Sequence, residues 1–372
     1  MKILYAGTLT PNDTALYRLW ALERLGHTVI RLPFDGYESS HPLLRKVYFR
    51  LAAGPGVARW NADLLRLAEA ERPDVFWGDK MLWLWPRTLE RLRALGIATV
   101  SYMIDNPFGT RNDPGWRLYM KNIPFYDLHV VQRDRNILDY RQRGARDVLK
   151  IQTAYEPTLN FPPPEGWSDA DCTRDVSFIG TPYDDRAATL TRLWREQGFE
   201  VSINGGSRPW RRALDPEAFA ALWKTNELYR ADYRETIWRS KINLSFLTLS
   251  NGDEFVHKSF EIAGCGAFLL AERSQGHLDR FVEDEEAVFF SNVEELVAKI
   301  RRYLPDERAR RRIAAAGRAR AVRDGYHNDR QMELVLARIQ AQIALEPRSG
   351  QPLASFSQGN AMTARPDPEG QP

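Results

Sequence analysis

Lys258 and Glu261 stand three residues apart in the stretch His257–Gly264, which reads as a helix opening near His257. That spacing puts both on one helix face. The segment before them, Asn251–Glu254, is a polar loop containing glycine. A helix start offers unpaired amides and a partial positive charge, which suit a diphosphate. Lys258 adds a full charge there, and a carboxylate at Glu261 is able to accept both hydroxyls of a ribose. A hydrogen bond to a charged group contributes about 1.5–3 kcal/mol, enough to orient a nucleotide. Asp253 and Glu254, in the loop, are placed to reach a donor sugar. The plain alternative is an i, i+3 ion pair worth a few tenths of a kcal/mol. Position favours a site, because Gly264, Cys265 and Gly266 pack the helix closely against the apolar strand that follows.

Other candidates lie at predicted strand ends. Gly180 closes one strand and Arg186 opens the next helix, so Arg186 either meets a phosphate or caps a helix at the surface. Gly205 and Gly206 end another strand and either admit a nucleotide backbone or form a plain turn. In the first half, Gly7–Asp13 follows the opening strand and lacks the Gly-x-Gly-x-x-Gly pattern of a dehydrogenase dinucleotide site. Asp13, Asp79 and Lys80 at strand ends are acceptor-side candidates. Asp105 is a candidate acceptor contact or general base, with a loop-capping role as its alternative. Trp83 and Trp85 are able to stack on a sugar or to fill the core.

These positions require a scaffold of parallel strands. Apolar runs at 2–6, 28–32, 74–77, 98–103, 128–132 and 148–150 alternate with amphipathic stretches, as a sheet covered on both faces demands. Prolines 157, 162, 163 and 164 with Gly166 break the rhythm and mark a linker over 156–173. A second series follows: strands at 175–180, 199–204, 242–247 and 267–271, a loop after 204, a helix over 226–239, and three closing helices. The expected organisation is a first α/β domain over 1–155 and a second over 174–345, doubly wound and facing a central cleft, with the last helix free to pack back on the first domain. The tail 346–372, rich in Pro, Gly, Ser and Gln, is expected to be disordered.

Composition narrows the classes. Hydrophobic residues are 43% and charged residues 27%, the balance of a globular protein. No apolar run of about 18 residues exists, and Met1-Lys2 leads straight into a core strand, so a cytoplasmic protein is expected. Cys172 and Cys265 have no metal-ligand spacing and read as reduced thiols. The net charge of +3 does not argue for nucleic acid. Nine arginines between Arg301 and Arg323 read as a solvated helical face. Residues 41–52 put Leu43, Leu44, Val47 and Leu51 on one helical face with Arg45, Lys46 and Arg50 elsewhere. That pattern fits either packing on the domain or peripheral contact with an anionic membrane at its inner face.

The stretch Lys258–Glu272, together with Glu285–Phe290, the helix after Asn292 and Ile313–Gly317, resembles the CgeB-like (spore-maturation-protein-like) group-1 glycosyltransferases. The resemblance covers about residues 175–330 and, more loosely, the first half. It implies the GT-B fold of two Rossmann-like domains, a nucleotide-sugar co-substrate held mainly by the second domain, an acceptor on the first, no metal and no further cofactor. It also implies that Glu261 binds the donor ribose and that Lys258 fills a position usually basic. Asp253 and Glu261 share the spacing of a Glu-x7-Glu motif, but with Asp first, which leaves retention or inversion open. A nucleotide-sugar epimerase or hydrolase, and a silent nucleotide-sugar-binding protein, are the other classes this scaffold admits.

Overall fold

Strands that are apolar on both faces must be covered on both sides, and this chain builds two such sheets. The computed structural model describes residues 1–109 and 115–345; the expected tail at 346–372 lies outside them. The first sheet contains β1 (Lys2–Gly7), β2 (Thr28–Pro33), β3 (Val75–Asp79), β4 (Ala98–Tyr102), β5 (Leu128–Val131) and β6 (Val148–Lys150). All its pairings are parallel, in the order β2-β1-β3-β4-β5-β6. Its helices are α1 (Thr14–Arg24), α2 (Pro42–Leu51), α3 (Pro55–Glu71), α4 (Pro86–Ala94), α5 (Trp116–Asn122) and α6 (Asp134–Gln142).

The second sheet contains β7 (Arg174–Ile179), β8 (Val201–Asn204), β9 (Trp223–Thr225), β10 (Ser240–Ser245), β11 (Leu269–Glu272) and β12 (Val288–Phe290). It too is parallel, in the order β12-β11-β10-β7-β8-β9. Around it lie α7 (Arg186–Arg195), α8 (Ser207–Ala213), α9 (Pro216–Leu222), α10 (Arg230–Trp238), α11 (His257–Gly264) and α12 (Gln275–Leu278). Three helices close the described chain: α13 (Val293–Tyr303), α14 (Glu307–Arg323) and α15 (Asn328–Leu345).

The stretch after β8, expected as a loop, forms α8 and α9 instead. Trp210 is fully buried and anchors α8, its indole Nε1 donating to the Gly180 carbonyl at 2.8 Å. Asp215 caps α9 by accepting from the Ala218 amide at 2.9 Å, with Pro216 at the first helical position. That Asp-Pro start is a legible signal. The helix expected from Asn226 begins only at Arg230, because Trp223–Thr225 first pairs with β8 as an edge strand.

α15 and the start of the linker help fasten the halves together. Met332, Val335, Leu336 and Ile339 of α15 enter the same apolar cluster as Ile3, Tyr5 and Val100 of the first sheet. Glu156, at the start of the linker, is 1% exposed. It accepts from Arg24 of α1 at 2.9 Å and from Asn328 of α15 at 3.2 Å. The arginines of α14 are not uniformly solvated either. Arg310 is buried, bonds the carbonyls of Tyr303 and Leu304, and pairs with Asp169 of the linker. Arg318 donates to the Tyr155 hydroxyl at 2.7 Å. A buried guanidinium needs such partners, and Arg310 thereby fastens the linker, while half-buried Arg318 holds the residue just before it.

Candidate functional site

Ligands of open parallel sheets bind beyond the carboxyl ends of the strands, where neighbouring crossovers run in opposite directions. In the second sheet that point lies between β7 and β10, and in the first between β1 and β3. The predicted residues fall around these two points.

On the second domain, α11 starts at the switch point. Its N-cap residue, Val256, supplies no capping side chain, so the first amides of the helix are left for a ligand. Lys258 is half-buried overall, but its ammonium runs inward and donates to the Ile179 carbonyl at the end of β7. It lies 5.5 Å from the centroid of the Phe178 ring and 5.8 Å from that of Tyr233. Burial pulls its pKa down to about 8, aided by the charge of Arg186 and opposed by that of Glu261. Glu261 accepts from the Tyr233 hydroxyl at 2.7 Å, and burial together with this carboxylate pushes the Tyr233 pKa well up.

His257 Nδ1 lies 3.2 Å from the Ala154 carbonyl, a contact that puts the proton on Nδ1. Nε2 is then an acceptor, and among the described residues it has no partner. Burial lowers the pKa of this ring and keeps it neutral. Behind α11, Ser259 Oγ lies 2.9 Å from Ser245 Oγ and 2.9 Å from His277 Nε2, and His277 Nδ1 lies 2.8 Å from the Glu272 carbonyl. This buried chain fixes α11 against β10 and β11.

The glycines are there for packing. A Cβ on Gly180 would stand 2.9 Å from the Phe178 ring, and one on Gly205 would stand 2.1 Å from the Gly180 carbonyl oxygen. One on Gly206 would meet the Glu227 carboxylate at 2.7 Å. Arg186 is 6% exposed and grips the end of β10, donating to the Leu247 carbonyl at 2.8 Å and Thr248 Oγ1 at 3.0 Å. Its Nε has no partner among the described residues. Arg186 thus holds the backbone around the switch point.

On the first domain, a cavity of about 490 Å³ opens at the β1–β3 switch point. Asp13, Lys80, Phe34, Phe49 and Trp83 line it. Asp79 also reaches the wall, but its carboxylate is locked to Arg18 by bonds of 2.6 and 2.9 Å, both side chains being 2% exposed. Tyr5 donates to the same carboxylate at 2.6 Å. Asp13 caps α1 through the Ala15 amide at 3.0 Å, and burial raises its pKa. Asp105 pairs with Lys80 at 2.5 Å across neighbouring strand ends. Trp85 stays at the start of α4, with the Arg87 guanidinium 4.2 Å from its ring centroid.

Asp253 and Glu254, expected at the donor sugar, face the other domain. Asp253 pairs with Arg133 at 2.6 Å, the two side chains being 10% and 8% exposed. Glu254 accepts from the Asp134 amide, the first of α6, at 3.2 Å and pairs with Lys150 at 3.1 Å. The loop that delivers α11 is therefore clamped to the first domain. Arg230 adds a further cross-cleft bond, its Nη2 donating to the Pro11 carbonyl at 2.9 Å. Tyr17 of α1 borders the cleft too, its pKa raised by burial and then by the charge of Glu261. Sequence reasoning missed Arg133, Arg18, Tyr17 and Tyr233. Arg133 was within reach of the strand-end rule, since it follows β5 directly; Tyr233, mid-helix, carries no local signal.

Residues 186–337 match the family described as Glycosyl transferase-like. The chain carries a glycosyltransferase domain. Solved structures show the fold around it to be GT-B. Sucrose-phosphate synthase from Thermosynechococcus elongatus superposes with a TM-score of 0.66 at 12% identity, over 93% of this chain and 100% of that one. HepE of Anabaena, solved with UDP-glucose, gives 0.62 at 14% identity over 91% and 100%. An E. coli trehalose-6-phosphate structure bound with UDP-2-fluoro glucose gives 0.60 at 13% over 91% and 99%. No curated protein matches by sequence. Within the glycosyltransferase domain, the matched segment runs from Arg186 through α11 and into α15.

Removing one partner of a buried ion pair leaves the other charge uncompensated, at a cost of about 3–5 kcal/mol. Asp253→Leu should therefore lower unfolding stability by about that much, and Arg133→Met with Asp253→Leu should recover most of it. Urea unfolding of the wild type, both single variants and the double variant measures the coupling; strictly additive losses would show that the pair does not join the domains.

Proposed function

We propose that this protein transfers a glycosyl group from a nucleoside diphosphate sugar, held at the second switch point, to a hydroxyl acceptor in the first-domain cavity. The observation that carries the reading is the pairing of Lys258 and Glu261 on α11, at an uncapped helix start and across the cleft from that cavity. Glu261, oriented by Tyr233, accepts the ribose hydroxyls. Lys258 and the first amides of α11 take the diphosphate and stabilise it as it departs, an electrostatic contribution that acts where charge develops. His257 Nε2, an acceptor without a partner among the described residues, suits a sugar hydroxyl. The acceptor hydroxyl attacks from the first-domain side, where Asp105 is the first base to test. Because these groups supply the positive charge, the reading assigns no role to a metal.

The uridine diphosphate sugars bound by HepE and by the E. coli structure make UDP-glucose the first donor to try. Placement in the CgeB-like subgroup rests on the resemblance of residues 258–272 and 285–290. A cytoplasmic setting accords with Cys172 and Cys265, which are both free thiols, and no helix among the described residues is long and apolar enough to cross a membrane.

Calorimetry with a panel of nucleoside diphosphates and their sugars tests the reading. Wild type should select one base, and Glu261→Ala should weaken that ligand about tenfold or more, roughly 1.4 kcal/mol. If wild type binds no nucleotide, the reading falls.

Lys258 gives a second test through pH. Its lowered pKa means that the free protein loses this charge as pH rises through about 8, while a bound diphosphate favours the charged form. Affinity should fall between pH 7 and 9, with proton uptake on binding near pH 8 seen as a dependence of binding heat on buffer ionisation. Lys258→Arg keeps its charge over that range and should flatten the profile; an unchanged slope would remove Lys258 from the site.

A further inference from the structure

α2 exposes the wrong residues for a helix of a globular surface. None of its ten residues is buried. Leu43, Leu44, Val47 and Leu51 are 66%, 44%, 46% and 69% exposed. At 100° per residue these four fall within an arc of about 100°. Phe49 lies opposite that arc and lines the first-domain cavity, and Tyr48 packs on Gly54, where a Cβ would stand 2.6 Å from its ring. Ala52, at the end of the helix, enters the core beside Leu82 and Trp83. The helix is thus held by its inner side, with its leucine face turned away from the protein.

Charge says what covers that face. Arg50 and Lys46 border the arc on one side and Arg45 lies beyond Tyr48 on the other, while the helix itself contains no acid. Among the described residues none of the three cations is within ion-pair distance of a carboxylate. The acids nearest in sequence, Asp35 and Glu38, precede the helix, and Glu38 lines the cavity. A second copy of the chain packing face to face would set these cations against their own equivalents. An anionic lipid surface meets both demands, with acyl chains for the leucines and phosphates for the cations.

We propose that α2 is a docking helix that lies on an anionic bilayer by its leucine face, with Phe49 and the first-domain cavity on the helix's other side. This goes beyond the donor reading and does not depend on it. Flotation with vesicles of phosphatidylcholine, with and without about one-third phosphatidylglycerol, tests it. Wild type should float with the anionic vesicles at low salt and release at high salt. Leu43→Asp with Val47→Asp should cut binding at least tenfold, and Lys46→Glu with Arg50→Glu should do the same. All four sites are exposed, so thermal unfolding and nucleotide binding should be unchanged, which separates loss of docking from loss of fold or of donor binding. No flotation of wild type at low salt would overturn the proposal. So would equal flotation of the variants, or self-association of lipid-free wild type that the Leu43→Asp and Val47→Asp pair abolishes.

Discussion

Parallel strands cannot be joined by a tight turn; each must cross over a face of the sheet, and the crossovers run outward from the first strand of the domain in both directions. Where they part, two strand ends stand next to each other with no connection covering them. In this chain those gaps are the β7–β10 and β1–β3 positions. The uncapped helix start and the acid-lined cavity are found at these two places because the topology leaves open space there.

The two gaps act as one site only if the domains face each other in a fixed way. The loop between β10 and α11 supplies that constraint. Its acids, Asp253 and Glu254, bond to Arg133, Lys150 and the start of α6 in the first domain. A few residues later the same segment presents Lys258 and Glu261. The orientation of the donor helix is therefore tied to the acceptor domain through a short, stiff piece of chain. α15 does the same at the other end by packing four apolar side chains into the first domain's core. Closing or opening the cleft has to work against both fastenings.

The fold was legible because its signal is periodic and redundant: apolar runs, helical stretches and prolines at the linker point the same way. The donor helix was legible for a similar reason, since Lys258, Glu261 and the small residues 264–266 lie close together in sequence. What escaped were long-range partners. Nothing near Asp253 announces that its carboxylate meets Arg133, 120 residues away. Asp79 reads as a cleft residue at a strand end, and it is one; yet its charge is taken by Arg18, 61 residues earlier on α1, where nothing local marks it. α8 and α9 were missed although Asp215-Pro216 was readable, because the arginines and tryptophans around it mask the apolar period.

Hydrogen exchange with and without UDP-glucose tests the central claim, that the second switch point holds the donor, most directly. The account predicts slower exchange at the backbone amides of Gly180, Thr181 and residues 257–260, with little change along strands β1 and β3. Protection confined to the first-domain cavity, around residues 8–13 and 79–81, or no protection at any concentration, would contradict it.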